Sequence, residues 1–359
     1  MTTEALCLRE IDALFEPYAH RKLSLPTRLV MASVPRLYAQ NGVPVPEMLR
    51  YYRRRAENQV GLIISEPVAV NDPAAAGDSG MSHFYGGAAL RGWKHICQAV
   101  HASRCRIMPL LHHVGMLRPQ RGDIPNPSEM AIGPSGIDPQ TGGRRGESMS
   151  RERIRSVVSA FASAAYSAKV LGFDGVEING AHAGLVEQFL RPETNRRTDE
   201  YGGDLPGRVR FACQIIHAVR KAVGRAFPVA FRYSPAGELW GKPLLESPHE
   251  MELFLNALCE AGVDIFECDG VSTPAFRGSP LSAPAWTRLL SHRPVIASGG
   301  IGLPGGSLLP HVRGLLGLRF DLLAVGRALL ADAEWGTKVR ESREADIVPF
   351  SSRSWLHLD

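Results

Sequence analysis

The sequence has little of what marks secreted, membrane-spanning or metal-binding proteins. Only six of its 359 residues are cysteine, and none forms Cys-x-x-Cys, so no zinc or iron–sulfur motif is present and we expect no metal site. No apolar run reaches membrane-spanning length, and the acidic N-terminus (Glu4, Glu10 and Asp12) is unlike a signal peptide. We therefore expect a cytoplasmic protein with reduced cysteines and no membrane partner.

Concentrated charge of one sign is also missing. The formal net charge of +5 would suit an anionic partner, but the lysines and arginines are scattered along the chain. The densest run, at residues 53–55, lies in a helical pattern beside Glu57. We interpret it as a solvated helix face rather than a nucleic-acid patch, and expect no nucleic-acid partner.

What the chain does contain is an alternation of short apolar runs and helical patterns. Its composition, 44% hydrophobic and 21% charged, is that of a globular protein, and short apolar runs are typical of buried parallel strands. Eight such runs occur, at residues 29–32, 61–66, 106–111, 175–179, 228–233, 265–268, 294–298 and 321–325. Helical patterns lie between or after them, at residues 46–58, 90–102, 151–171, 208–223, 248–261 and from 328 onward.

This alternation predicts an α/β fold, a closed (β/α)8 TIM barrel with loop insertions, in a single domain covering residues 1–359. The largest insertion is the Gly/Pro-rich stretch at residues 115–148. An open doubly wound sheet would carry Gly-x-Gly-x-x-Gly after its first strand. Here residues 32–35 read Ala-Ser-Val-Pro, which argues for the barrel.

Two glycine turns come after the last two predicted strands. Gly299 and Gly300 come after the seventh strand, and Gly326 and Arg327 after the eighth. Glycines allow backbone N–H groups to approach a phosphate, an arginine adds charge-assisted hydrogen bonds, and barrels commonly bind phosphate at these two loops. The alternative is a pair of ordinary tight turns with Arg327 on the surface; the position of both turns favours a phosphate site.

Long motifs in the chain resemble the Old Yellow Enzyme family of FMN-dependent barrels. The likeness runs from about residue 27 to about residue 332 and is most specific at residues 172–182, continuing through 188–190 to 195–203. It implies a noncovalently bound FMN across the mouth of the barrel. It also implies reduction by NADH or NADPH, after which a small-molecule substrate takes the same place over the flavin ring.

The resemblance also implies roles for individual residues. Arg232 matches an arginine beside the flavin N1–C2 edge, where positive charge stabilises the reduced flavin; the alternative is a barrel-lining ion pair. Asn179 and His182 match a pair that holds the substrate oxygen over the flavin; the alternative is a capping asparagine and a partly buried histidine. Three further residues at the ends of the first two strands are expected to contact FMN: Ser33, Val34 and Pro67.

The match fails at four positions. The family usually has a proton-donating tyrosine where this chain has Gly184, which has no side chain and cannot act as an acid. A strand-three glutamine that bonds the flavin pyrimidine edge aligns with Leu110, and an arginine after His-x-Gly aligns with Met116. Pro35 removes an N–H from the segment after the first strand. The residues expected to bind the flavin phosphate therefore match the family, whereas residues expected around the flavin ring and the substrate differ from it.

The leading hypothesis is an FMN-dependent NAD(P)H oxidoreductase that acts on a small unsaturated or carbonyl-bearing substrate without the usual tyrosine. The alternative is a flavin-containing isomerase, cyclase or substrate-oxidising biosynthetic enzyme, because a missing acid could let a reduced intermediate rearrange. A degenerate barrel that only binds a phosphorylated ligand or a protein partner is the third hypothesis. Family members often pair through their helices, so a homo-oligomer is also among the expectations.

Overall fold

Eight parallel strands close into a barrel in this computed structural model, which describes residues 10–20, 23–235 and 241–358. Each strand pairs with the next one along the chain, and the eighth pairs with the first, Val325 opposite Met31. The predicted (β/α)8 TIM barrel is thus confirmed. The strands, β1 to β8 in chain order, are Leu29–Met31, Leu62–Ala69, Arg106–His112, Val176–Gly180, Val229–Tyr233, Ile265–Asp269, Val295–Ser298 and Leu322–Val325.

Helices surround the barrel. In chain order, α1 to α10 are Pro46–Ala56, Gly87–His101, Arg151–Leu171, Leu185–Leu190, Leu205–Val223, Pro248–Ala261, Ala283–Ser291, Leu309–Leu316, Arg327–Ala331 and Trp335–Arg340. Short 3-10 turns lie at Ala13–Phe15, Gly115–Leu117, Glu344–Asp346 and Ser352–Leu356. The sequence prediction missed α4, α7 and α8, and the helix that it expected from residue 328 is divided into α9 and α10.

The longest helix, α3, illustrates how the local sequence defines an element. The Ser150 hydroxyl accepts a hydrogen bond from the Arg153 N–H at 3.1 Å and caps the first turn. Gly172 ends the helix with a φ of 91°, a conformation that glycine adopts without steric cost. Between these caps, Val157 and Phe161 lie on a fully buried apolar face, so the helix is held against the rest of the barrel by packing.

A short hairpin closes the N-terminal end of the barrel. Tyr18–His20 pairs antiparallel with Leu23–Leu25. Leu23 and Leu25 are buried in one apolar cluster with interior residues such as Leu62. Strands of three residues carry almost no periodic signal, which is why the sequence prediction lacks this plug.

The opposite end of the barrel is lined by polar groups. The strand register places Asn179 opposite Arg232 and Arg232 opposite Glu267, so these three side chains lie next to one another on the interior face. Asp269 at the end of β6 is opposite Ser298 at the end of β7. Active sites of such barrels lie at the C-terminal ends of the strands, and this rim is where the predicted site residues meet.

Three other predictions bear on the whole chain. The cysteines at positions 97, 105, 213, 259 and 268 are free, whereas Cys7 lies outside the described residues. Within the described ranges, no helix is long and apolar enough to cross a membrane. The single domain proposed for residues 1–359 includes residues that the structure does not describe and stays a prediction.

Candidate active site

The two glycine turns form one edge of the rim. Gly299 and Gly300 come after β7 with φ values of 119° and 72°, in the left-handed region that favours glycine. Both are exposed, and a Cβ built on Gly300 would meet no atom within 4 Å. A Cβ on Gly326 would lie 3.3 Å from Val34 Cγ2, so the turn after β8 contacts the segment after β1. The structure thus brings together two of the predicted FMN contacts, Val34 and Gly326.

Arg327 begins α9 beside these turns and is exposed. Its guanidinium carbon lies 5.8 Å from the centre of the Phe350 ring, a cation–π contact with the C-terminal segment. Among the described residues no carboxylate lies within ion-pair distance of it. An arginine stacked in this way keeps its N–H donors available for a phosphate.

The residues expected to contact the flavin ring lie nearby. Ser33 is 8% exposed, and its buried hydroxyl has no hydrogen-bond partner within the described part of the chain. An unpaired buried hydroxyl is costly unless a ligand completes it, so Ser33 fits a cofactor contact. Pro67 is half-buried where the β2–β3 register shifts between Ile64 and Pro67, which brings that part of β2 out of regular pairing.

Arg232 is buried at the end of β5 among three carboxyl groups. Its Nε lies 3.3 Å from Glu267 Oε1, and its Nη2 lies 3.4 Å from Asp269 Oδ1. Its Nη1 donates to the Ser33 carbonyl oxygen at 3.4 Å, which places it against the predicted FMN contacts. Glu177, also fully buried, interacts with the same arginine.

The surroundings shift the pKa values of these carboxyl groups in different directions. Burial and the neighbouring Glu267 raise the pKa of Glu177 well above its usual range, and burial also raises the pKa of Glu267. Burial opposes ionisation of Asp269 as well, but Arg232 and His182 outweigh it and lower the pKa of that carboxyl. Burial likewise disfavours the charged form of Arg232, yet Glu267 and Asp269 raise its pKa overall. Burial therefore favours the neutral form of Glu177, and the neighbouring carboxyl groups favour the charged form of Arg232.

The structure shows the ion pair that was the alternative interpretation of Arg232, and the contact of this arginine with the flavin stays a prediction. The sequence reasoning missed Glu177 and Glu267. The sequence could have indicated both residues, because each is an acidic residue in the middle of an apolar strand, where a buried carboxyl group needs a partner.

Asn179 contacts His112 at the end of β3. Its side-chain nitrogen lies 2.9 Å from His112 Nδ1, and the Ala181 N–H donates to its oxygen at 3.1 Å. A Cβ built on Gly184 would lie 2.6 Å from His112 Cε1. The His112 ring therefore fills space beside residue 184, and burial lowers its pKa to about 3.

His182 comes next on the same rim. Its φ of 56° is uncommon for a residue with a side chain and occurs often at functional sites. The side chain is 53% exposed, and its Nε2 lies 3.5 Å from Asp269 Oδ2. The positive charge of Arg232, with partial desolvation as a smaller cause, lowers the pKa of His182 to about 4, so it is a neutral imidazole at physiological pH.

Two other titratable residues at or just after strand ends, Tyr233 and His113, have structural contacts. Tyr233 is fully buried, with its hydroxyl 2.6 Å from the Thr287 hydroxyl. His113 is buried, accepts a hydrogen bond from the Gly115 N–H at 3.0 Å, and lies 3.3 Å from Asp72. Leu110 belongs to the apolar interior cluster and offers no hydrogen bond to a ligand. The Tyr233 hydroxyl and the His113 ring are therefore engaged by other residues of the protein, and Leu110 has no proton to donate.

Known proteins match this chain over most of its length. The model of the NADH:flavin oxidoreductase / NADH oxidase family matches residues 13–346. The chain is 31% identical over 341 residues to the NADH oxidase of Thermoanaerobacter brockii, a match that covers 90% of this chain and 50% of that protein. It is 30% identical over 333 residues to the putative 12-oxophytodienoate reductase-like protein 1 of Arabidopsis thaliana, covering 88% of this chain and 96% of that one.

A solved structure of morphinone reductase in complex with tetrahydroNAD is also similar. It matches with a TM-score of 0.83 and 27% identity, over 96% of this chain and 94% of the other. The chain spans about half the length of the bacterial NADH oxidase and nearly the full length of the plant protein and of morphinone reductase.

Proposed function

Because the chain belongs to the NADH:flavin oxidoreductase / NADH oxidase family, we propose that it transfers reducing equivalents from NADH or NADPH to a small unsaturated or carbonyl-bearing molecule. Family membership confirms the predicted resemblance, and with it FMN as the cofactor and a nicotinamide as reductant. The observation that carries the proposal is the convergence of the glycine turns, Arg327 and Arg232 on one rim of the barrel.

We assign the residues that hold FMN by the groups they present. Gly299, Gly300, Gly326 and Arg327 would bind the phosphate through backbone N–H groups and the guanidinium. Three others would contact the ring: Ser33, Val34 and Pro67. Arg232 would face its pyrimidine edge. Bound FMN supplies two-electron chemistry that no side chain offers.

We propose that Asn179 and His182 face the substrate, and both side chains are neutral at physiological pH. His182 presents a half-exposed imidazole beside Asp269 and can donate a hydrogen bond to an acceptor oxygen. Relatives named for 12-oxophytodienoate and morphinone reduction support an oxo compound as the acceptor. Gly184 supplies no acid, so we propose that water protonates the product carbon.

The absent acid also favours a second candidate function, an isomerase, cyclase or substrate-oxidising enzyme on the same barrel. Without a placed proton donor at Gly184, a reduced intermediate would have time to rearrange. The mass of the product distinguishes the candidates. A gain of two hydrogens supports reduction, a loss of two supports oxidation, and an unchanged mass supports isomerisation or cyclisation.

The first test is a flavin spectrum of the purified protein during anaerobic titration with NADH and with NADPH. We expect bleaching of the flavin bands and their return when an enone such as cyclohex-2-enone is added. A colourless protein that takes up no added FMN would refute the proposal.

Arg327→Gln tests the phosphate assignment. It should weaken FMN binding roughly 10- to 100-fold, because it removes a charge-assisted contact, and should leave riboflavin binding unchanged, since riboflavin has no phosphate. Arg121→Gln, on the exposed insertion, is the matched control. Equal losses for FMN and riboflavin would contradict the assignment.

A cytoplasmic location and a homo-oligomer remain predictions.

A further inference from the structure

The space beside position 184 is filled from another strand. Gly184 caps the short helix α4 with φ −64° and ψ 169°, a backbone that any residue could adopt. It is the His112 ring, whose Cε1 would lie 2.6 Å from a Cβ at 184, that leaves no room for a side chain. The glycine at position 184 and the position of the His112 ring therefore depend on each other, because the ring occupies the space that a side chain at 184 would need.

The hydrogen bonds around Asn179 define which nitrogen of His112 carries the proton. The Ala181 N–H donates to Asn179 Oδ1, which identifies that atom as the oxygen and its partner as the amide NH2. That NH2 donates to His112 Nδ1 at 2.9 Å. A neutral imidazole that accepts at Nδ1 must carry its hydrogen on Nε2.

The Nε2–H of His112 is thus a donor held in a defined direction. Within the described residues it has no hydrogen-bond partner, and its residue is 8% exposed. The other titratable groups that act on it are His113, which is bound to Asp72, and His182. Among the described residues, the charged groups that act on the ring are thus histidines, and no carboxylate favours its protonation.

We propose that the Nε2–H of His112, oriented by Asn179, is a second hydrogen-bond donor, in addition to His182, to the oxygen of the acceptor substrate, an α,β-unsaturated carbonyl or an oxygen of similar basicity. This rests on the proposed function and assigns Asn179 a positioning role. A neutral imidazole polarises a carbonyl by donating a hydrogen bond and does not surrender its proton. The arrangement therefore agrees with a reaction that takes its carbon-bound proton from water.

The first test uses 4-nitrophenol as a probe, because its oxygen binds as a phenolate whose ionisation is visible in the absorption spectrum. The oxidised holoenzyme is titrated with it as wild type, His112→Phe, His112→Gln and Gly184→Ala. The phenylalanine removes the donor, and the alanine displaces the intact imidazole. Each should bind the phenolate roughly 10- to 100-fold more weakly and raise the pKa of the bound phenol, whereas the glutamine, with its own N–H2, should recover part of the loss.

Two matched controls accompany these variants. His217→Phe makes the same change on the exposed face of α5, and Gly143→Ala adds a Cβ whose nearest neighbour is 3.6 Å away. Both should bind 4-nitrophenol as the wild type does. Unchanged binding in both His112→Phe and Gly184→Ala, or no binding of the probe by the wild type, would overturn the proposal.

The second test observes the imidazole directly. In 15N-histidine-labelled holoenzyme, long-range 1H–15N spectra should show the residue absent from His112→Gln as the neutral Nε2–H form from pH 5.5 to 8. Its signal should shift when 4-nitrophenol binds. Asn179→Leu should leave the histidine neutral but mix its two tautomers and weaken probe binding. A protonated ring, or an Nδ1–H form in the wild type, would overturn the assignment.

These measurements do not depend on turnover. If NADH and NADPH both fail to reduce the flavin, the proposed function fails, and the tautomer and the probe titration still decide the role of His112. If NADH or NADPH reduces the flavin but the binding of 4-nitrophenol does not depend on His112, the proposed function is supported and this inference is refuted.

Discussion

At the scale of single residues, the buried charges at the ends of β4 to β6 control what the rim can do. One guanidinium, Arg232, is shared by Glu267 at 3.3 Å and Asp269 at 3.4 Å. An arginine with no acidic partner would favour extra negative charge on a reduced flavin much more than this paired one does. The family resemblance indicates the arginine, whereas the carboxylates determine its net effect.

The first prediction rests on this pairing. Glu267→Gln removes the buried carboxyl group that lies 3.3 Å from Arg232 and should make the two-electron reduction potential of the bound flavin more positive. The change should be on the order of tens of millivolts, since 30 mV corresponds to about 1.4 kcal/mol for two electrons. Spectroelectrochemistry of the holoenzyme measures it.

Glu252→Gln is the control, because that residue is exposed on α6. An unchanged or more negative potential in Glu267→Gln would show that the carboxylate does not act on the flavin through Arg232.

A second residue-scale prediction concerns pH. The folded protein holds the pKa of His112 at about 3, whereas an unfolded histidine has its ordinary value near 6.5. Below pH 6.5 the unfolded chain therefore binds a proton that the folded chain refuses, and stability falls as pH falls. Between pH 6.5 and 5 this histidine should remove about 1–2 kcal/mol from the free energy of unfolding.

Urea denaturation of the wild type and His112→Phe at the two pH values checks this. The pH-dependent loss should be smaller in His112→Phe by that amount and unchanged in His217→Phe. Equal losses in wild type and His112→Phe would mean that His112 titrates normally in the folded protein.

At the scale of elements, the site is made by the turns and loops at the C-terminal end of each strand. The predicted strands match the observed ones within a few residues, because a buried parallel strand is a short apolar run wherever it occurs. The helices α7 and α8 escaped prediction because each is short and lies among glycines and prolines. The turns after β7 and β8 were predictable because both contain glycine; Gly299 and Gly300 adopt positive φ, whereas Gly326 has a φ of −104°.

The turn after β7 carries the third prediction. In Gly299→Ala the new Cβ would lie 3.0 Å from the Gly270 nitrogen, at a φ of 119°. A non-glycine residue in such a conformation costs about 1–2 kcal/mol, so the turn should move and FMN affinity should fall roughly 5- to 30-fold. Fluorescence titration of the apoprotein with FMN measures this.

Gly143→Ala again serves as the control. FMN affinity equal to that of the wild type in Gly299→Ala would show that the turn does not contact the cofactor.

At the scale of the whole molecule, the hairpin and the polar rim lie at opposite ends of the barrel. The hairpin that plugs one end packs Leu23 and Leu25 against interior leucines, while the polar groups gather at the other end. Changes at the plug should therefore act on folding, and changes at the rim on binding.

Leu25→Ala tests this separation and is the fourth prediction. Removing a side chain that is 2% exposed should lower the free energy of unfolding by about 2–4 kcal/mol. FMN affinity and the flavin spectrum should stay as in the wild type, because the plug lies at the far end of the strands. Urea denaturation and FMN titration of the same sample measure both quantities, and a large loss of FMN affinity would contradict the separation.

The sequence by itself determined the barrel, the family and the glycine turns after the last two strands, because these depend on local patterns: apolar runs, glycines at strand ends and a long motif around Asn179. Only the tertiary structure decided how the residues expected around the flavin ring and the substrate are arranged. Arg232 meets Glu267 and His112 meets Gly184 across strands far apart in the chain, and nothing in the spacing of those residues encodes the contact. The physical reason is that the pKa of a buried group, and the space available to a side chain, depend on the neighbours that folding brings together.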